Sequence, residues 1–291
     1  MMRRSTKNIF KYTFLLVAVL FLLLIFVSGQ SSPDNLLRVY FFDIGQGDAT
    51  LVRTPYNQDI LIDAAPSNLI VSKLGSALPL SDRDLELVLI SHPHLDHFAG
   101  LLGVLERYKI KKMIYGGEAK GAHPDFQRLL KELEKLSVPV EQLVEPRTLN
   151  LGEGIAMQIY SAGSDLPAEE KGNNASLLVR LVYQENEFLF TGDLEQAGEE
   201  YFLQKGVLLE ADVLKVGHHG SATSTSQSWL KAINPEIAVI SVGKDNDYGH
   251  PSLRVLKRLA RAKAKIYRTD QDGDVAMQSD GLKIKVKAKN F

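Results

Sequence analysis

The chain has 291 residues, 45% of them apolar and 24% charged, with no cysteine and a formal net charge of −1. That length supports a sizeable core, and that composition excludes a disordered or fibrous protein. Without cysteine there is no disulfide framework, no thiolate nucleophile and no cysteine-based zinc site, so any metal ligands must come from His, Asp, Glu, Asn or backbone.

Residues 1–30 begin with the basic stretch "MMRRSTKNIFKY" and run into fourteen apolar residues, Phe14 to Val27. This predicts a signal peptide or an N-terminal membrane anchor, and with it an extracytoplasmic protein, secreted or held at the membrane by that segment. A buried core helix is the weaker reading, because the run has no polar face. These residues hold Arg3, Arg4, Lys7 and Lys11 and no acid, so the remainder carries a net charge of −5. A broad basic surface that would hold nucleic acid by charge is therefore not expected.

Residues 36–291 read as one α/β domain. "LRVYFF" (37–42), "DATLVRT" (48–54) and "DILID" (59–63) predict three successive strands separated by turns. "LELVLI" (85–90) is a buried strand, "FAGLLGVLERY" (98–108) helix-like, "KKMIYG" (111–116) a strand and "PDFQRLLKELEKL" (124–136) an amphipathic helix. The second half repeats the theme, with strands at 155–161, 176–183, 187–191, 211–216 and 237–241 and helices at 195–204 and 251–262. In each half a strand runs into an acid (Asp63, Asp193) and a later buried strand ends in histidine (His92, His218). This predicts two related halves placed face to face, with polar groups converging where strands run out into loops.

The densest chemistry is "SHPHLDH", which puts His92, His94, Asp96 and His97 within six positions. His92 and His94 project on the same side of an extended segment. Asp96 and His97 follow where the chain turns into a helix, so the bend can aim the two pairs at two different divalent ions. A polar loop with incidental histidines is the bland alternative, and a chain with seven histidines makes it improbable.

His-x-His-x-Asp-His after a buried strand resembles the signature of the metallo-β-lactamase-fold hydrolases. More narrowly, "FFDIGQGDATLV", "LIDAAP", "GNNASLLVRL", "LFTGDLEQ", "LKVGHHGSATS", "ISVGKDNDYGHPS" and "RTDQDGDV" resemble the hydrolase domain of ComEC-type DNA-internalisation proteins and related esterases. The resemblance runs from about Val39 to Val275 and lacks the polytopic channel of the full ComEC proteins. It implies a four-layer αβ/βα sandwich of two related halves. It also implies a metal-dependent hydrolase of phosphoesters, a phosphodiesterase or nuclease, with DNA as the leading substrate. The alternatives are a choline phosphate esterase, which Tyr248 and Trp229 would favour as an aromatic cage, and a non-catalytic module assisting DNA uptake.

Carried over residue by residue, the resemblance gives His92 and His94 to one metal and Asp96 and His97 to the other. Asp193 becomes the bridging carboxylate and Asp63 the acid that orients the histidines. His219 is the favoured ligand of the "HHG" pair, with His218 behind it or facing substrate. Asp96, Asp193, His218 and His250 form the catalytic set. His250 has an equal reading as a loop histidine holding the turn before Pro251. Asp48 lies behind the ligands, in a turn that Asp43 caps and next to which Gln46 sits. His123, beside Pro124, reads as a surface residue. Relatives of this fold supply a further histidine from a loop between the halves, yet no histidine occurs between His123 and His218. Asn173 and Asn174 stand there instead, and an amide oxygen is a weaker ligand than imidazole. The expectation is one or two divalent ions, zinc or manganese, with the first site loose. The basic stretches "LKRLARAKAKIYR" and "KIKVKAK" read as solvated faces, or as a groove for a polyanion if both lie beside the site.

Overall fold

A computed structural model describes residue 12, residues 14–19, 35–163 and 165–289. Tyr12 and residues 14–19 are helical with exposed apolar side chains. Most of the predicted export or anchor segment lies outside the described residues. Among the described residues, no helix is long and apolar enough to cross a membrane. The rest, Leu36–Phe291, forms one compact unit.

The unit opens with an antiparallel run of β1 (Leu37–Phe41), β2 (Ala49–Arg53) and β3 (Asp59–Ala64). After helix α1 (Leu69–Ala77) and the short β4 (Asp84–Leu85), β5 (Leu87–Ile90) pairs parallel to β3. Two short helices, α2 (Leu95–Phe98) and α3 (Leu101–Leu105), lead through β6 (Lys109–Ile110) to β7 (Met113–Tyr115). Helix α4 (Pro124–Lys135) then returns the chain to β8 (Val140–Gln142). The predicted single helix over 98–108 is thus broken at Ala99–Gly100. A Cβ at Gly100 would collide with the carbonyl oxygens of Ala64 and Ser67, so the helix segment presses against the chain leaving β3 at a point only glycine fits.

The second half builds β9 (Arg147–Gly152), β10 (Ile155–Ser161), β11 (Leu177–Tyr183) and β12 (Asn186–Phe190) as an antiparallel run. Helix α5 (Gln196–Gln204) crosses over to β13 (Val213–Lys215), parallel to β12. Then follow α6 (Gln227–Ile233), β14 (Ile237–Ile240), α7 (Leu253–Arg261), β15 (Lys265–Arg268) and the turn-like α8 (Thr269–Asp272). The last strands, β16 (Asp274–Ser279) and β17 (Ile284–Lys289), leave this sheet: β16 pairs antiparallel with β1, and β17 pairs antiparallel with β16 at the edge. One sheet therefore runs β17-β16-β1-β2-β3-β5-β7-β8 and the other β15-β14-β13-β12-β11-β10-β9.

Three apolar clusters separate four layers. The central one joins the inner faces of both sheets through residues such as Phe41, Leu89, Val179 and Phe188. A second lies between the first sheet and α1, α3 and α4, and a third between the other sheet and α5, α6 and α7. Strands β3, β5 and β13 are buried at every position because helices cover one face and the opposite sheet the other. This is the αβ/βα sandwich that the resemblance implied, built from the two facing halves expected from the alternating elements. The parallel pairs β3–β5 and β12–β13 occupy equivalent places, and both open at their C-terminal ends onto one edge.

Candidate metal centre

The first half delivers its ligands from the end of β5. His92 follows in a bend, where the His94 N–H donates to the His92 carbonyl at 3.0 Å, and His94 itself is extended just before α2 begins. The His92 Nε2 and His94 Nδ1 atoms face each other at 2.8 Å. The single turn of α2 then brings Asp96 and His97 towards Asp193 and His219, with the His97 ring still 4.4 Å from that of His92. His97 is fully buried. Its Nδ1 lies 3.0 Å from Asp63 Oδ2, and the Ser91 N–H donates to Asp63 Oδ1 at 2.7 Å. Asp63, with φ of +57° at the β3 end, thereby locks the ring so that Nε2 faces the other half.

The second half answers with Asp193 and His219. Asp193 leaves β12 through Gly192, whose φ is +49° and whose Cβ would lie 2.8 Å from the Ser91 Cβ. Its Oδ2 stands 3.3 Å from His97 Nε2 and 3.6 Å from His219 Nε2. His218 and His219 both have left-handed backbone, φ of +47° and +51°, and this twist sends the neighbouring rings to different places. His219 is buried, with Nδ1 2.9 Å from the Ser241 carbonyl and Nε2 3.3 Å from Asp96 Oδ2. His218 is half-buried, with Nδ1 3.1 Å from Glu195 Oε1 and Nε2 3.9 Å from Asp193 Oδ2. The geometry puts His219 among the clustered donors and His218 at their edge.

Donor atoms of Asp96, His97, Asp193 and His219 all lie within 4.8 Å of one another. Two of these atoms report what the cluster suits. His97 Nε2 and Asp193 Oδ1 are buried with no hydrogen-bond partner, a state that folded proteins avoid. A divalent cation held by Asp96, His97, Asp193 and His219 would satisfy both, so the donors fit such an ion. The electrostatics agree. Burial opposes a proton on His97, yet the Asp193 and Asp63 carboxylates overcome burial and hold its pKa well above the usual value. Burial likewise opposes charge on Asp193, and His219, His97 and Lys215 overcome it, keeping that carboxyl far below its normal range. A field that draws a proton to this point draws a metal cation more strongly.

His92 and His94 form a different kind of pair. Among the described residues, no third donor joins them as closely. Burial, followed by the nearby His97 charge, lowers the His92 pKa well below normal, leaving a neutral imidazole. The Ser91 and Ser176 hydroxyls stand 3.1 and 3.2 Å from its Nδ1. The expected asparagine ligand needs correction. Asn174 Oδ1 already accepts the N–H groups of Glu195 and Gly198, both at 2.9 Å, and its Nδ2 donates to the Glu170 carbonyl at 2.8 Å. It ties the loop between the halves to the start of α5 and offers the metal nothing. Asn173 instead faces the His218 ring, its Nδ2 3.4 Å from both ring nitrogens, in a cavity of about 570 Å³ that also reaches His94, Glu195, Thr223 and Arg254.

Behind the ligands lies a group the sequence reading missed. Lys215, at the end of β13, is buried and ion-paired with Asp48, and donates to the Gly192 carbonyl at 3.0 Å. Asp48 in turn lies 3.5 Å from His219 Nδ1 and 3.8 Å from His97 Nδ1. A lysine inside the otherwise apolar "VLKV" was the available signal, because a buried lysine requires a paired acid. The peripheral residues also find places. Asp43 accepts the Gly45 N–H at 3.3 Å, Gln46 accepts the Gly243 N–H at 3.2 Å, and His123 caps α4 at the surface. His250 sits 5.7 Å, ring to ring, from His218. Trp229 is 1% exposed in the core beneath α6, so it cannot form a cage with Tyr248. Of the basic stretches, Arg258 is spent on the carbonyls of Ser224 and Thr225.

Comparison with known proteins accords with this geometry. Residues 42–244 match the metallo-beta-lactamase superfamily. ComE operon protein 3 of Bacillus subtilis (strain 168) is 28% identical over 94% of this chain and 36% of its own length. Competence protein ComA of Neisseria gonorrhoeae is 34% identical over 84% of this chain and 32% of its own. The chain thus spans about a third of the length of these curated relatives. Among solved structures, the metallo-beta-lactamase fold protein YhfI from Bacillus subtilis superposes with a TM-score of 0.53 at 13% identity. It covers 84% of this chain and 100% of its own, a likeness of fold. The chain belongs to the metallo-beta-lactamase superfamily.

Proposed function

We propose that this superfamily member is a metal-dependent hydrolase of phosphodiesters, with DNA as its leading substrate. The observation that carries the reading is the convergence of Asp96, His97, Asp193 and His219, two of whose buried donor atoms have no partner of their own. A divalent ion bound there supplies Lewis acidity, acidifying water and offsetting phosphoryl charge, so no serine or cysteine nucleophile is needed. The chain's own groups do the rest. Asp63 and the Ser241 carbonyl each engage the Nδ1 of a histidine and leave its Nε2 facing the centre. Glu195 holds the Nδ1 of His218, and Thr223 Oγ1 donates to the same carboxylate oxygen at 2.6 Å. His218 therefore presents Nε2 towards Asp193, placed to give a proton to a departing alkoxide.

The competence proteins among the relatives support DNA as substrate, and the basic start and apolar run of residues 1–30 support an extracytoplasmic site of action. The choline phosphate reading loses its support with the burial of Trp229. A non-catalytic module assisting DNA uptake is the second reading, favoured by the missing inter-half histidine. The test is hydrolysis of single-stranded DNA, bis-p-nitrophenyl phosphate and a choline phosphate ester by the purified chain with zinc or manganese. Turnover of the first two that disappears in Asp193→Ala is the expected result. Metal binding without turnover of any substrate favours the binding module instead.

A further inference from the structure

Residues 243–250 form a loop after β14 that ends against the metal centre, and one side chain fixes its shape. Asn246 Nδ2 donates to the carbonyls of Gly243 at 3.0 Å and His250 at 2.8 Å. Its Oδ1 accepts the N–H groups of Tyr248 at 3.2 Å and His250 at 3.0 Å. The amide's full hydrogen-bonding capacity is thus used to hold the backbone. The loop so held presents Tyr248 with 70% of its surface exposed. An aromatic side chain usually buries its ring, and here a rigid support keeps it in solvent beside the site. The rings connect the loop to the centre: Tyr248 lies 5.8 Å from His250 at an interplanar angle of 21°, and His250 meets His218 edge-on, 5.7 Å away at 69°. The last step, His218 Nε2 to Asp193 Oδ2, is 3.9 Å. Just beyond the loop, exposed Arg254 in the first turn of α7 lines the cavity that reaches His94.

We propose that Tyr248 is a stacking platform for a nucleobase of a single-stranded polynucleotide, with Arg254 taking a phosphate of the same strand. This deepens, and rests on, the phosphodiester reading of the metal centre. A single ring with one open face cannot enclose a quaternary ammonium group, but it matches a flat heterocycle. The base must be out of a duplex to reach it, which selects single strands. Charge points the same way. A domain with a net charge of −5 gains little from long-range attraction of a polyanion, so affinity must come from a contact that charge does not oppose.

The experiment compares two labelled phosphorothioate oligomers of about twelve nucleotides, a length within the site sizes of single-strand binders. One is oligothymidylate and the other an abasic strand of the same backbone charge, each titrated by fluorescence anisotropy against the full chain with manganese. The wild type should bind the thymidylate strand about tenfold more tightly than the abasic one, the scale of one base–aromatic stack. Tyr248→Phe should keep that preference, Tyr248→Ala should remove it, and Arg254→Ala should weaken both strands alike. A wild type without the preference, or a preference that survives Tyr248→Ala, overturns the platform. Hydrolysis of bis-p-nitrophenyl phosphate by the wild type is read in parallel. Hydrolysis without a base preference overturns the platform alone. A base preference without hydrolysis supports the platform and overturns the hydrolase reading.

Discussion

The two sides of the metal centre are built from the same histidine-rich run, but they are supported differently. On the His97 side both imidazoles are backed: His97 by Asp63, His219 by the Ser241 carbonyl, and both by Asp48 with Lys215 beneath it. On the His92 side two imidazoles face each other with serine hydroxyls behind one of them, and the other, His94, opens onto the cavity. The contrast shows that metal affinity depends on buried carboxylates and on what fixes each ring, as much as on the number of histidines.

The sharpest break of the comparison is removal of a shared donor. Asp193→Ala should abolish detectable metal retention and cut turnover by on the order of 10²–10³ or more, read by elemental analysis and by phosphodiester hydrolysis. His94→Ala should lose turnover while retaining one ion. If Asp193→Ala and His94→Ala lose metal equally, the two sides are alike after all.

Next comes the buried charge beneath the tight side. Lys215→Met leaves Asp48 buried without its cation and should destabilise the fold by about 3–5 kcal/mol, read from denaturant midpoints. An unchanged midpoint would mean that Asp48 is not held by Lys215. Smaller again is the loss of the orienting acid. Asp63→Asn should weaken metal affinity about 10- to 100-fold, whereas Asn173→Ala, in the cavity that His94 faces, should fall below that range. The reverse ranking would place the support on the wrong side. The mildest change sharpens the comparison by repair. Asn173→His puts an imidazole into the cavity that His94 faces and should raise metal content from about one ion towards two.

Much of this was legible before the structure. The acid-ended and histidine-ended strands do converge, because parallel strands deliver their C-terminal ends to one edge and sequence alone marks both strand and end. The four-layer sandwich was implied by the family resemblance, and strands too apolar to have a wet face, such as β3 and β5, agree with it. What stayed hidden depends on distant pairing. Nothing local to Asp274–Ser279 says that it leaves its neighbours for β1. Helix α1, with only Ile70 and Leu74 buried, carries too weak a pattern to be predicted. Asn174 looks like a ligand in sequence, and only the N–H groups of Glu195 and Gly198, more than twenty residues away, show that its oxygen is occupied. His218 and His219 are adjacent in sequence, and their different roles come from a left-handed turn that neither residue type announces.

The most direct test is a calorimetric titration of the metal-stripped chain with manganese and with zinc. One tight site followed by a second weaker by about tenfold or more is predicted, with the tight site lost in His97→Ala and kept in His92→Ala. Two ions bound with equal affinity, both sensitive to either substitution, would contradict the account.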